Sequence, residues 1–269
     1  VISSCLTKPA CMSRLISWRV VNPVNWRRFK SFMDYKIITE ELVGLLGLSV
    51  PPIAISFCEK IPDSVPRFEG NYPEATEDGR TGAVSAGCVF WVKSVDRTFA
   101  TVPSDHANCS VGSLTHGFIS LEEAGSRADV EAICEANWVD PKVFPEIATV
   151  KSCSEAVVYG PLAHSKRDPD VIFLRLIAKQ VMQLHAAIPS LRFEGKPQCH
   201  IIGIAKEHGE VAVSVGCMLS RVRTGMSNNE VTCAVPGSKL SQVVEALRES
   251  KAADMLVASY ASEDSKRFQ

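Results

Sequence analysis

The sequence predicts an α/β or α+β protein whose two similar halves, as pseudo-repeats, pack as one compact unit. Apolar runs of strand length alternate with segments of helical spacing from Asp34 onward, the pattern of mixed layered folds. Two stretches, Cys88 to Cys109 and Cys199 to Cys217, share one layout: cysteine, apolar run, charged turn, second apolar run, cysteine, and a glycine eight positions on, at Gly117 and Gly225. The chain has 269 residues, 46% apolar and 22% charged, enough to bury a substantial core.

Residues 1–33 carry six basic side chains and no acid within a chain of net charge −1. Residues 1–32 therefore read as a leader or a non-native extension, with Met33 as a natural start. The first helix is expected over Asp34–Leu46, where Ile38, Leu42 and Leu45 follow helical spacing and Gly47 supplies the stop. Pro51 and Pro52 force extension, and IAISF reads as a buried strand. Residues 61–80, rich in proline, glycine and acid, form a long surface loop of the kind that often carries function. After Cys88, VFWVKSVDRTFATV fits either two strands and a turn or a helix and a strand, and both return the chain toward Cys109. Ser120 and Glu123 make a capping box, with helix to Trp138 and a break near Gly125.

Pro141 and Pro145 mark irregular chain, which places the boundary between a first half, 33–150, and a second, 151–269. AVVYGPL is expected to mirror IAISF. VIFLRL reads as a strand, and IAKQVMQLHAAI as a helix with Val181, Leu184 or His185, and Ile188 on one face. In the second cysteine unit KEHGE separates two apolar runs, the later one, VAVSV, strongly strand-like. Ser227 and Glu230 repeat the S-x-x-E pattern. Ser238 is expected to cap a last helix whose apolar face is Leu240, Val243, Val244 and Leu247.

The near-zero net charge gives no electrostatic case for nucleic acid. No run reaches the ~18 apolar residues of a membrane span. Ten cysteines without a secretory signal or a short disulfide framework point to a reducing cytoplasm with some thiols committed to metal.

Cys88, Cys109, Cys199 and Cys217 are the candidate ligands. If each unit doubles back, its two cysteines meet, and two units bring four thiols together, the ligand count of tetrahedral zinc or of an iron–sulfur cluster. No C-x-x-C occurs, so the compact ferredoxin and zinc-ribbon spacings are absent. Gly87, Gly112 and Gly216 stand beside these cysteines, where backbone can approach a ligand closely. Cys153 or His106 is a substitute ligand. Arg221 is expected to neutralise an anionic cluster, whereas Arg223 reads as part of a solvated basic strand. A rival arrangement makes Cys109 a catalytic thiol activated by His106 and oriented by Asp105. Cys134, Cys233 and His185 read as packing or rim residues. A bland alternative ends two equivalent strands at Cys88 and Cys199. Nucleotide-binding glycine loops, serine-hydrolase elbows, zinc-protease motifs and haem attachment sites are all missing.

From Met33 to about Leu247 the chain resembles the family called domain of unknown function 169, through SVPPIAISF, Cys88 followed by NCSVG, VVYGPL with DPDVIF, KPQC, and VGCMLSRVR leading to NNEVTCAVP. It departs at Leu219, where members often have glycine. The resemblance implies cytoplasmic residence and compatibility with anaerobic redox metabolism, and carries over no catalytic residue. With it, the expected cofactor is a 4Fe–4S cluster serving electron transfer or redox sensing, with a redox partner protein. The alternatives are a small-anion-binding protein with structural zinc or no metal, using the 61–80 loop and the cleft between halves, and the Cys109 thiol enzyme.

Overall fold

The computed structural model describes residues 34–69, 85–152, 154–195 and 197–267, and residues 34–269 make one compact unit. The expected leader, residues 70–80 of the long loop, and Cys153 lie outside the described residues.

The first helix, α1 (Tyr35–Leu46), starts where the Asp34 carboxylate accepts the N–H groups of Lys36 and Ile37 at 3.0 and 3.3 Å. It ends at Gly47, left-handed at φ 66°, as a side-chain cap and a glycine stop dictate. Tyr35, Thr39, Leu42 and Leu46 form its buried face, one position away from the expected stripe. Seven strands follow: β1 (Ile53–Cys58), β2 (Phe99–Thr101), β3 (Ala156–Pro161), β4 (Val171–Ile177), β5 (Arg192–Glu194), β6 (Ala212–Ser214) and β7 (Glu230–Pro236). They form one open sheet in the order β2-β3-β1-β4-β7-β6-β5. Every pairing is antiparallel except β5 with β6. The fold is thus mixed α/β. A division at residue 150 would part β3 from β1 and β2, the strands on either side of it. The prolines at 141 and 145 belong instead to a short 3₁₀ segment, Pro141–Glu146.

Alternation along the strands assigns the two faces. Ile53 and Ile55 of β1, Val157 and Tyr159 of β3, and Val171 and Phe173 of β4 point into the main apolar core. There they meet α2 (Gly87–Lys93) through Phe90 and Trp91, and α7 (His200–Gly203) through Ile201 and Ile202. Trp91 packs on Phe173 with ring centroids 4.3 Å apart. The opposite side chains of β4, Ile172, Leu174 and Leu176, are also fully buried. α6 (Ala178–Ala187) packs on β4, and α1, α6 and α9 (Leu240–Arg267) pack on one another.

Both cysteine units are helix followed by strand. Cys88 lies in the first turn of α2, which leads to β2; Cys199 precedes α7, which continues through a π-turn, Ile204–His208, to Gly209 and β6. The strand-end reading of Cys88 and Cys199 is therefore corrected. A short helix buried on all sides has no polar face, and periodicity cannot separate it from a buried strand. Cys109 and Cys217 in turn cap α3 (Ser110–Thr115) and α8 (Met218–Thr224). The glycines that follow are both left-handed, Gly117 at φ 75° and Gly225 at φ 62°. A Cβ on Gly117 would also lie 2.2 Å from Val150 O. Half of the expected capping box forms: Glu123 N–H donates to Ser120 Oγ at 3.0 Å, while the Glu123 carboxylate pairs with Arg127; α4 (Leu121–Gly125) stops at the expected glycine, and α5 (Ala128–Glu135) follows. Ser227 and Glu230, by contrast, form a turn entering β7, where Ser227 N–H donates to Glu230 Oε2. The last helix is entered through a 3₁₀ turn, Gly237–Lys239.

Candidate metal centre

Four segments that are distant in sequence deliver Cys88, Cys109, Cys199 and Cys217 to one cavity of about 90 Å³. Each cysteine stands at the start of a short helix, α2, α3, α7 or α8. Residues of α2 and α7 pack with Tyr159 and Phe173 in the main core, and the first turns of α2, α3 and α8, with Cys199 ahead of α7, line the cavity. Beyond the cysteines the wall is largely apolar, with Ile133, Trp138 and Phe144 contributed by α5 and the chain after it, and Asp129, Gln198, Ser220 and Arg223 as its polar members.

Burial dominates the electrostatics. It pushes the Cys88 thiol up to about 11, with the neighbouring Cys109 adding to the rise. It also raises Cys109, and raises Cys199 far above the ordinary thiol range. Desolvation penalises the thiolate. Several groups oppose it. The Arg223 guanidinium favours the charged form of Cys88 and Cys109. Gly112 N–H points at Cys109 Sγ, 3.4 Å away. Thr115 lies beside Cys199; its hydroxyl donates to Gly112 O at 2.9 Å, so its single proton must be redirected to serve a thiolate. Ser220 Oγ is near enough to Cys88 to favour its thiolate, yet makes no hydrogen bond of ordinary geometry. Trp91 Nε1 is likewise buried without a partner. Both residues line the cysteine cavity, leaving two donors there without an acceptor, a costly state for buried polar groups.

Behind the cysteines lies a buried pair of histidines. His116 Nδ1 is 2.8 Å from Gly112 O, which only accepts, so Nδ1 carries the proton and Nε2 accepts from the Tyr159 hydroxyl at 3.0 Å. Thr101 Oγ1 donates to Val157 O and stands 2.9 Å from His106 Nε2, which therefore carries that ring's proton. His106 Nδ1 has no partner. Burial keeps both rings neutral: it lowers His116 to about 4, and it lowers His106 well below its ordinary range, with His116 adding to the effect. Burial also raises the Tyr159 phenol, and so would charge on Cys199 and Cys88.

The thiol-activation arrangement is not formed. His106 is committed to Thr101, and Asp105 accepts from Val102 N–H at 2.8 Å and pairs with Arg67 at 3.4 Å. The turn makes neighbours in sequence point apart. Nor does His106 line the cavity as a substitute ligand. Arg221 is also corrected: it clamps the carbonyls of Val215, Ser227 and Glu230, while Arg223 lines the cavity. Cys58 accepts from Arg167 at 3.2 Å, Cys134 packs in a small satellite cluster, Cys233 is buried on β7, and His185 stacks against Phe193 at 5.5 Å. The sequence reading passed over His116, Tyr159, Trp91 and Ser220. For Tyr159 a signal existed, since it is the one hydroxyl-bearing side chain on the inward face of AVVYGPL.

Among the described residues, no group of three or more His, Cys, Asp or Glu side chains is placed to hold a metal ion, and no helix is long and apolar enough to cross a membrane. The family model for domain of unknown function 169, described as uncharacterised ArCR, matches residues 41–246, and the chain belongs to that family. No curated protein and no solved structure matches the chain.

Proposed function

We propose that this is a metal-binding redox protein in which Cys88, Cys109, Cys199 and Cys217 hold a 4Fe–4S cluster for electron transfer or redox sensing. The observation that carries the reading is the convergence of four thiols on one cavity whose wall also holds two unpartnered donors, Trp91 Nε1 and Ser220 Oγ. Thiolates and inorganic sulfides accept hydrogen bonds, and donors around a cluster tune its potential.

Loading would displace the thiol protons that burial now retains, since the metal-bound form is the thiolate. Arg223 would offset the anionic charge of the assembled centre. Held by Cys88, Cys109, Cys199 and Cys217, such a cluster would supply one-electron chemistry for exchange with a redox partner protein.

We read the two cysteine units as equivalents. Along the chain β1-α2-β2-α3-β3 matches β4-α7-β6-α8-β7 once α4, α5, α6 and β5 are set aside, and from the centre of the sheet outward β1-β3-β2 matches β4-β7-β6, with the outermost strand of each set reached through a helix that has a cysteine at its start. This reading moves the boundary between halves to the turn between β3 and β4, and it matches IAISF with VIFLRL rather than with AVVYGPL.

Anaerobic purification followed by iron, zinc and sulfide analysis tests the proposal. About four iron and four sulfide per chain, with a broad visible band, are expected for this cluster type. Stoichiometric zinc without sulfide would refute it.

A further inference from the structure

On the sheet face opposite the cysteines, a second cavity of about 220 Å³ opens over β1 and β3. Its floor is built of small side chains. Ala54 pairs with Gly160 and Ser56 with Val158, so the face stays open here, whereas Ile172 and Leu174 fill it on β4. A Cβ on Gly160 would lie 2.4 Å from Thr98 Oγ1, so glycine is what admits the Thr98 hydroxyl to the cavity wall. Ser56 is only 5% exposed, and among the described residues neither its hydroxyl nor that of Thr98 makes a hydrogen bond, although neither is sealed from solvent.

The rim adds charge of one sign. Among the described residues, His164, Lys166 and Arg167 line the cavity and no carboxylate does. The nearby acids are engaged elsewhere: Asp168 accepts from Tyr35 at 2.7 Å, and Asp170 pairs with Lys206 at 2.8 Å and accepts from Phe57 N–H at 2.7 Å. Arg167 donates one N–H to Cys58 Sγ, and the other four donors of its fork remain. Lys166 makes no ion pair. Solvent-reachable hydroxyls beneath a rim of basic side chains are the elements of an oxyanion site.

We propose that this cavity binds a phosphate-type oxyanion, as the free ion or as the terminal group of a small metabolite. Ser56 and Thr98 donate from the floor, and Lys166 and Arg167 supply the charge. The site is independent of the cysteine cavity. Residues 64–66 of the long loop lie on its rim, which gives part of that loop a role.

The test is calorimetric titration of the full chain with inorganic phosphate at low salt and neutral pH, with sodium acetate as comparison. Saturable binding of one phosphate per chain is expected. The Lys166→Gln/Arg167→Gln double variant should weaken it at least tenfold. Ser56→Ala, judged folded by an unchanged unfolding curve, should weaken it several-fold. Cys217→Ser should titrate as the parent does, which separates this site from the cluster proposal. Unsaturable heats in the parent, parental affinity in both floor and rim variants, or acetate binding as tightly as phosphate would each overturn the assignment.

Discussion

The two faces of one sheet carry cavities of opposite character. On the face of Ile55, Val157 and Phe173 the wall is mostly apolar, broken by Asp129, Gln198, Ser220 and Arg223, and burial raises the thiols of Cys88 and Cys199. On the face of Ser56 and Gly160 the wall is polar and the rim is basic. Alternation along a strand lets neighbouring residues of β1 serve both. The difference teaches where each kind of ligand can be stabilised. A dry cavity penalises free charge, so it suits a cofactor that replaces protons with covalent metal–sulfur bonds. The wet, cationic cavity can attract an anion without paying the desolvation cost of deep burial.

The largest effect that would break the comparison is at the thiols. Cys88→Ser, Cys109→Ser, Cys199→Ser and Cys217→Ser should each remove most of the bound iron and visible absorption, while Cys58→Ser, Cys134→Ser and Cys233→Ser keep them. Iron analysis of the seven variants decides this, and full iron in any of the first four would take that residue out of the site.

Stability should differ across the sheet as well. Phe173 is 1% exposed and stacks on Trp91, so Phe173→Ala should cost about 3–5 kcal/mol in urea unfolding. Ser56→Ala on the other face should change stability by less than about 1 kcal/mol, since its hydroxyl bonds to nothing. Equal losses would mean that the two faces are built alike.

The histidines make the dry face sensitive to acid. Folding lowers His116 from 6.5 to about 4 and lowers His106 as well, so the unfolded chain binds more protons as pH falls below 6.5. Stability is full above 6.5 and falls toward pH 4 by up to roughly 1.4 kcal/mol per pH unit for each histidine. Urea midpoints measured from pH 7 to 4.5 check this, and a flat profile in His116→Gln/His106→Gln relative to the parent assigns the slope.

A smaller effect separates the two arginines. Arg221→Gln should destabilise by about 1–3 kcal/mol by orphaning the carbonyls it clamps. Arg223→Gln should leave the unfolding midpoint nearly unchanged and slow alkylation of the metal-free thiols, because it removes the charge that favours thiolate at Cys109. The reverse pattern would restore the ligand-side role to Arg221.

Much of this was legible in the sequence, for reasons that can be named. Asp34, Gly47 and the Ser120–Glu123 box act through local hydrogen bonds, so their patterns survive without tertiary context. The convergence of the cysteines was legible as two return trips of 21 and 18 positions, even though neither trip is a hairpin. What failed depended on the helical state of buried segments. Read as a strand, CMLSRVR puts Arg221 and Arg223 on one face; in α8, at about 100° per residue, the two point apart, one to the backbone clamp and one to the cavity. His106 beside Asp105 suggested a relay, but a 3₁₀ turn sends His106 inward to Thr101 and Asp105 outward to Val102 N–H and Arg67. The edge order of the sheet, which sets β3 between β2 and β1, has no local signature at all.

The most direct test of the central claim is anaerobic native mass spectrometry of the chain. The account predicts one species heavier than the polypeptide by a single 4Fe–4S core less the displaced protons, and loss of that increment in Cys199→Ser. A parent carrying one zinc ion, or an unchanged increment in the variant, would contradict it.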